Sequence, residues 1–317
     1  MLNAVRAKQE LREIFAHARA GRERRDPARL AGRVRDWFER RGALADLAQK
    51  TGTLGDLGAV CRLFLEQRSF TRWTVRVFER PGGRLLNEFC CDNMIPTQGA
   101  TWIADLFTPG QSTPQLYIAL LGPQQVATTG AINSGSNSLT FTTAPSPELV
   151  VGQAVSVAGA GASGANLLAF VGTVVSSTSY DLVTTLGGTT AADAATTVSG
   201  VSVTCGPAFA IGDTLAARTD YFTGFSNSAL PEWTPGAPSG TNPVSRAGAA
   251  QSFDITASSG TICAGVLQDQ SAVAASYASG NLIGEVQFTN SSGAPLFQPV
   301  ASGNTVSVTV TLNTNAG

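Results

Sequence analysis

Reactive chemistry has little to draw on in this chain. It holds one histidine, His17, and five scattered cysteines: Cys61, Cys90, Cys91, Cys205 and Cys263. One histidine and dispersed thiols cannot assemble an ordinary zinc site of Cys and His ligands. His17 could serve as a general base or metal ligand, but it sits in a run rich in Arg and Glu, where a solvated helix face accounts for it. The carboxylates Asp213, Asp220, Glu232, Asp254, Asp269 and Glu285 are separated by long apolar or neutral stretches. Folding could still join two of them into the acid pair of a glycosidase. Such sites gather aromatic side chains and several acids, and few of either are present, so hydrolysis is set aside. Gly159, Gly161 and Gly164 satisfy G-x-G-x-x-G, with Asp181 at about the spacing a dinucleotide site needs. That motif works only where a helix N-terminus receives the pyrophosphate. Here it leads into 166–176, a β-branched run that reads as a strand, so a Gly/Ala/Ser loop is the simpler account. G-x-x-x-x-G-K-[ST], G-x-S-x-G and H-E-x-x-H are all missing from the sequence. The chain is expected not to be an enzyme, and to use no cofactor and no metal.

Charge is more informative. Residues 1–84 hold 19 Lys+Arg against 10 Asp+Glu, a net +9, whereas residues 85–317 hold 2 against 12, a net −10. Two ends so different are built to face different surroundings. The basic end implies an acidic partner, which composition leaves open between nucleic acid, an acidic protein surface and the acidic half of another subunit. Its densest part is 19–41, where Arg22, Arg24, Arg25, Arg29, Arg33, Arg35, Trp37, Arg40 and Arg41 form the candidate docking set. Phosphate binding by these arginines is conceivable. The interleaved Glu23, Asp26, Asp36 and Glu39 weaken the field and offer pairs along a helix instead, which favours a protein-docking or merely solvated face. Residues 1–15 lack the uninterrupted apolar segment of a secretory signal. No stretch reaches the roughly 18 apolar residues of a membrane helix, and no membrane partner is expected. An odd, scattered set of cysteines reads as free thiols made in a reducing cytoplasm.

The elements that must carry these residues follow from periodicity. Leu11, Ile14, Phe15 and Ala18 share one side of a helix in 1–20. Asp26 is a good N-cap, Pro27 suits the first helical position, and Leu30, Val34, Trp37 and Phe38 recur at helical spacing. A third helical region spans 43–66. The period then becomes two. Trp73, Val75 and Val77 alternate with Arg72, Thr74 and Arg76, Pro81-Gly82-Gly83 turns the chain, and 85–91 returns as the second arm of a hairpin. A short helix is expected over 98–107 and a fully buried strand over 115–121. Further strands are expected at 138–143, 154–158, 167–175, 179–185 and 197–204, and then at 213–225, 251–257, 261–267, 284–289 and 305–313. The proline-rich stretch 226–248 reads as a long loop packed on the sheet through Leu230 and Trp233. The fold class is therefore mainly β: an antiparallel β-sandwich, jelly-roll or immunoglobulin-like, over 69–122 and 210–317. A small β-barrel or sandwich domain is inserted at 123–209, and a basic α-helical docking region occupies 1–68.

Several segments occur in a telling order: Asn93 to Gly99 (N-x-I-x-x-x-G), Tyr117-Ile118-Ala119-Leu120, Asp213-Thr214-Leu215, Thr219-Asp220-Tyr221, the loop Pro231 to Pro238, Phe253-Asp254-Ile255-Thr256, and Gly303 to Leu312. This order resembles a recurrent β module of tailed bacteriophages, similar to that of capsid decoration (cement) and minor capsid proteins and of some tail and fibre proteins. The resemblance covers about 92–122 and 210–313. It implies a non-enzymatic virion structural protein, made in the host bacterial cytoplasm, that binds other virion proteins and braces the head, commonly as a homo-oligomer such as a trimer. The insertion at 123–209 and the basic N-terminal region depart from a minimal module. The basic region would be the foot and the β domains would project. The alternatives are a tail or fibre component in host-surface attachment and a nucleic-acid-binding head protein.

Overall fold

In a computed structural model of the chain, the residues described are 69–92, 95–96, 99, 115–210, 213–240, 244–272 and 280–314. The three helical regions expected within 1–66, the nine docking residues from Arg22 to Arg41, His17, Cys61 and nearly all of the helix expected over 98–107 lie outside them. The described residues are mainly β, paired throughout their named ladders in antiparallel fashion.

Strands β1 (Ser69–Phe78) and β2 (Leu85–Asp92) form the hairpin that alternation demands. Trp73, Val75 and Val77 are buried, while Arg72 and Arg76 face water, and Arg76 pairs with Glu88 directly opposite at 2.8 Å. Gly82 takes a left-handed φ of 65° in the turn, a conformation that disfavours a side chain. Strand β3 (Leu116–Leu121) is apolar and almost wholly buried.

The chain then forms β4 (Gln124–Ile132), β5 (Ser138–Phe141), β6 (Ala154–Val157), β7 (Leu167–Ser176), β8 (Ser179–Val183) and β9 (Val198–Cys205). These six close a barrel in the order β4-β5-β8-β7-β6-β9. Closure removes the exposed edges that small, charge-poor strands would otherwise present. Its interior is filled by side chains including Val126, Leu139, Val155, Val171, Leu182 and Val203, with Phe141 and Tyr180 edge to face at 5.9 Å.

After the barrel come β10 (Glu232–Trp233), β11 (Val244–Ala247), β12 (Gln251–Asp254), β13 (Gly260–Ile262), β14 (Ala264–Gln268), β15 (Leu282–Gln287), β16 (Gln298–Val300) and β17 (Thr305–Thr314). One sheet runs β11-β17-β1-β2, with β12 also on β17; a second runs β10-β3-β14-β15; and β13 pairs β16. Both large sheets feed one core, to which Trp73, Val75, Phe253, Val306, Val308 and Val310 come from the first and Ile118, Leu120, Val266, Leu282 and Val286 from the second. They touch where Gly265 on β14 meets Trp73 on β1: a Cβ at Gly265 would lie 2.7 Å from the indole Cζ3. Gly265→Ala is therefore expected to cost about 1–3 kcal/mol through overpacking, read as a lower urea midpoint with unchanged slope.

Three expectations need correction, and two strands come without one. The strand expected over 213–225 is not one: it contains a 3-10 turn at Leu215–Ala217, and Tyr221 bridges Leu121 of one sheet while Phe225 bridges Ile255 beside the other. A segment that crosses between sheets cannot ladder along either. The stretch 226–248 is not all loop, because β10 and β11 lie within it. The strand expected over 261–267 is split at Cys263 into β13 and β14, which join different partners. The Gln-rich opening of β4 and the short β16 lack the alternation that would have marked them as strands.

Candidate functional site

The densest polar chemistry described here lies where the barrel's last strand leads back to the second sheet. Beyond Cys205 the chain passes Gly206, where a Cβ would meet Gln287 Oε1 at 3.0 Å and the Ala154 side chain at 3.3 Å, so only glycine fits without displacement. The Ala208 carbonyl and the Asp213 carboxylate then turn toward Arg218. Asp213 is held by the backbone N–H of Ala210, which donates to it at 2.9 Å. The 3-10 turn at Leu215–Ala217, closed by Arg218 N–H donating to the Leu215 carbonyl at 3.1 Å, swings the guanidinium inward over the Phe209 ring, 5.1 Å away.

Arg218 is the hub. One Nη donates to the Ala208 carbonyl at 2.6 Å and pairs closely with Asp213; the other Nη lies 3.5 Å from Asp220, and Nε lies 3.5 Å from Glu285 on β15. Its side chain is 7% exposed, and those of Asp220 and Glu285 are 5% and 0% exposed. Arg218 and Arg246 are the whole basic complement of residues 85–317, so one of two cations in the body is enclosed by three acids. Neither Glu285 oxygen has a hydrogen-bond donor, nor does Asp220 Oδ1. Beside the cluster, the Tyr221 hydroxyl donates to Gln268 at 2.7 Å and Gln287 donates to the Cys263 carbonyl at 2.7 Å.

One positive charge cannot neutralise three carboxylates, and burial acts on the two that are enclosed, Asp220 and Glu285. Burial pushes the Glu285 carboxyl up to about 8, with Asp213 and Asp220 adding to the effect and Arg218 opposing it. Burial also raises Asp220, against the pull of Arg218 and of the Asp220 and Thr219 backbone N–H groups. Cys205 is pushed up to about 11 and Cys263 well above its ordinary value, both chiefly by burial. At neutral pH these thiols are protonated and poor nucleophiles. Glu285 carries a proton, yet its enclosure keeps it from any solute, so the chemistry available to this arrangement is proton storage and internal fastening.

Of the six acids singled out in the sequence, folding gathers Asp213, Asp220 and Glu285. Glu232, Asp254 and Asp269 bond elsewhere, to Thr234, Thr305 and Asn281. Arg218 carries no motif of its own in the sequence; its signal is that it is an arginine in a cation-poor body. Leu230 and Trp233 are buried in the core shared by the sheets, and Trp233 Nε1 donates to the Val310 carbonyl at 2.9 Å. Gly159, Gly161 and Gly164 shape a loop that enters β7, a strand with no helix N-terminus to offer an anion. Cys90 is exposed and Cys91 buried, as neighbours on a strand must be, and none of the four described cysteines forms a disulfide. Among the described residues, no group of three or more His, Cys, Asp or Glu could hold a metal ion, and no helix is long and apolar enough to cross a membrane. Comparison of the chain with protein-family models, with curated proteins and with solved structures finds no match.

Proposed function

We propose that this chain is a non-enzymatic structural protein of a tailed-phage virion, a decoration or minor capsid protein that attaches through its basic N-terminal region and displays β domains outward. The observation that carries the reading is the inward turn of its chemistry: the charge cluster around Arg218 is enclosed and fastens the chain to itself, and the other ion pairs among the described residues, Arg76–Glu88 and Arg84–Glu79, are exposed pairs of the β1–β2 hairpin. What such a body offers its surroundings is shape and contact area. Closed barrel and shared-core sheets, with few charges, suit a surface that acts by area and multivalency. On this reading the two large sheets form a jelly-roll or immunoglobulin-like sandwich, the assembly is a homo-oligomer, and the net +9 of residues 1–84 answers an acidic face of neighbouring virion proteins.

Deletion of residues 1–66 is expected to abolish co-sedimentation with particles lacking the protein, while the full chain binds them. Undiminished binding by the truncated chain would overturn the basic foot. Intact head binding with loss of adsorption to cells would move the protein to the tail or fibre. Retention of DNA at physiological salt by the full chain, lost on deletion, would instead favour the nucleic-acid role.

A further inference from the structure

We propose that the Arg218 cluster is a proton-operated latch: with a proton on Glu285 the segment 213–221 stays seated on β15, and removal of that proton releases the segment and loosens the junction between the barrel and the second sheet. This goes beyond the virion reading and does not depend on it.

The geometry supplies each part of the device. The segment follows barrel strand β9 along the chain and links the barrel to the second sheet. It is held on β3 by backbone bonds, Gly122 N–H donating to the Asp220 carbonyl and Phe222 N–H to the Leu120 carbonyl, both at 2.9 Å. On β15 it is seated where Arg218 Nε lies 3.5 Å from the enclosed Glu285 carboxyl. The charged and titratable groups around Glu285 are Arg218, Asp213 and Asp220 from the segment itself. The thiols of Cys205, at the end of β9, and Cys263, between β13 and β14, lie on the Asp220 side. A proton on Glu285 removes one negative charge from the cluster. Ionised, Glu285 places a fully enclosed negative charge there with no hydrogen-bonded donor at either oxygen. An enclosed group in that state is relieved by opening to water.

The direction with pH follows from linkage. Glu285 is held at about 8 when seated, and an exposed glutamate titrates near 4.5. A group raised on closing stabilises the closed form fully below the lower value, and loses that contribution as pH climbs to the higher one. The opening equilibrium therefore rises about tenfold per pH unit through the interval and levels off above about pH 8, with Asp220 acting in the same direction.

Hydrogen exchange of the full chain, followed by mass spectrometry between about pH 6 and pH 9 and corrected for intrinsic exchange rates, tests this. Protection of 213–222 is expected to fall about tenfold per pH unit up to about pH 8 and then flatten, while the β7–β8 hairpin keeps its protection. Glu285→Gln, which keeps the shape and removes the titration, is expected to show less than half that slope. Constant protection of 213–222 in the wild type, or an equal slope in Glu285→Gln, would overturn the latch. Should the variant not fold, the wild-type profile decides alone: a fall shared by the whole chain counts against the latch, and a fall confined to 213–222 that flattens near pH 8 supports it.

Discussion

Replacing Arg218 with methionine is expected to be among the most damaging single changes to the described structure, at about 3–5 kcal/mol. The figure does not measure the strength of its ion pairs, since a buried pair is offset by the cost of removing both partners from water. What the substitution leaves behind is Asp213, Asp220 and Glu285 around an apolar side chain, two of them at 5% exposure or less. Uncompensated, they must take up protons or break out into solvent. The loss is therefore expected to be larger at pH 8 than at pH 6, measured by urea denaturation at both. Arg218→Lys should recover little, because an ammonium cannot reach the Ala208 carbonyl and three carboxylates in the directions that the guanidinium fork serves. Adding Asp220→Asn and Glu285→Gln to Arg218→Met removes two orphaned acids and is expected to restore a substantial part of the stability. Equal losses at the two pH values, with no rescue, would mean that the cluster contributes through packing alone.

A loss of similar size, about 3–5 kcal/mol, is expected for Trp73→Ala. Trp73 is fully enclosed and heads the largest buried side chains of the fold. Its ring bridges the two sheets, over the bare backbone of Gly265. Truncation would leave a cavity against two strands whose backbones are fixed by their own ladders, β1 against β2 and β14 against both β3 and β15, so collapse into the space is limited. Trp73→Phe is expected to lose less, and combining it with Gly265→Ala, which fills space on the facing strand, should cost less than the sum of the two single changes. The check is a double-mutant cycle in urea. Strict additivity would show that the indole and the glycine do not share the contact that the geometry assigns to them.

How much of this was readable in advance depended on whether the signal was local. Trp73, Val75 and Val77 in β1 and Val306, Val308 and Val310 in β17 alternate with polar neighbours, and all six are buried. Alternation is imposed by the pleat of each strand against one core, so it is written within the strand itself. The barrel strands β5 to β9 were legible for a related reason: short apolar runs between Gly, Ser and Pro turns. β10 and β11 were missed because strands of two and four residues among prolines carry no period. They exist because β3 and β17 offer edges to pair with.

The order of residues was enough to establish a mainly β chain, the positions of its long strands apart from β4, a charge-poor body and a basic N-terminal end, since these depend on composition and neighbours along the chain. The closed barrel, the pairing of β3 with β14, and the meeting of Asp213, Arg218, Asp220 and Glu285 belong to the tertiary structure alone. A carboxylate far along the sequence looks the same whether it will lie in water or against a buried arginine. Its pKa, and with it the latch, is set by desolvation and by charges brought close only when the segment after the barrel folds onto β15.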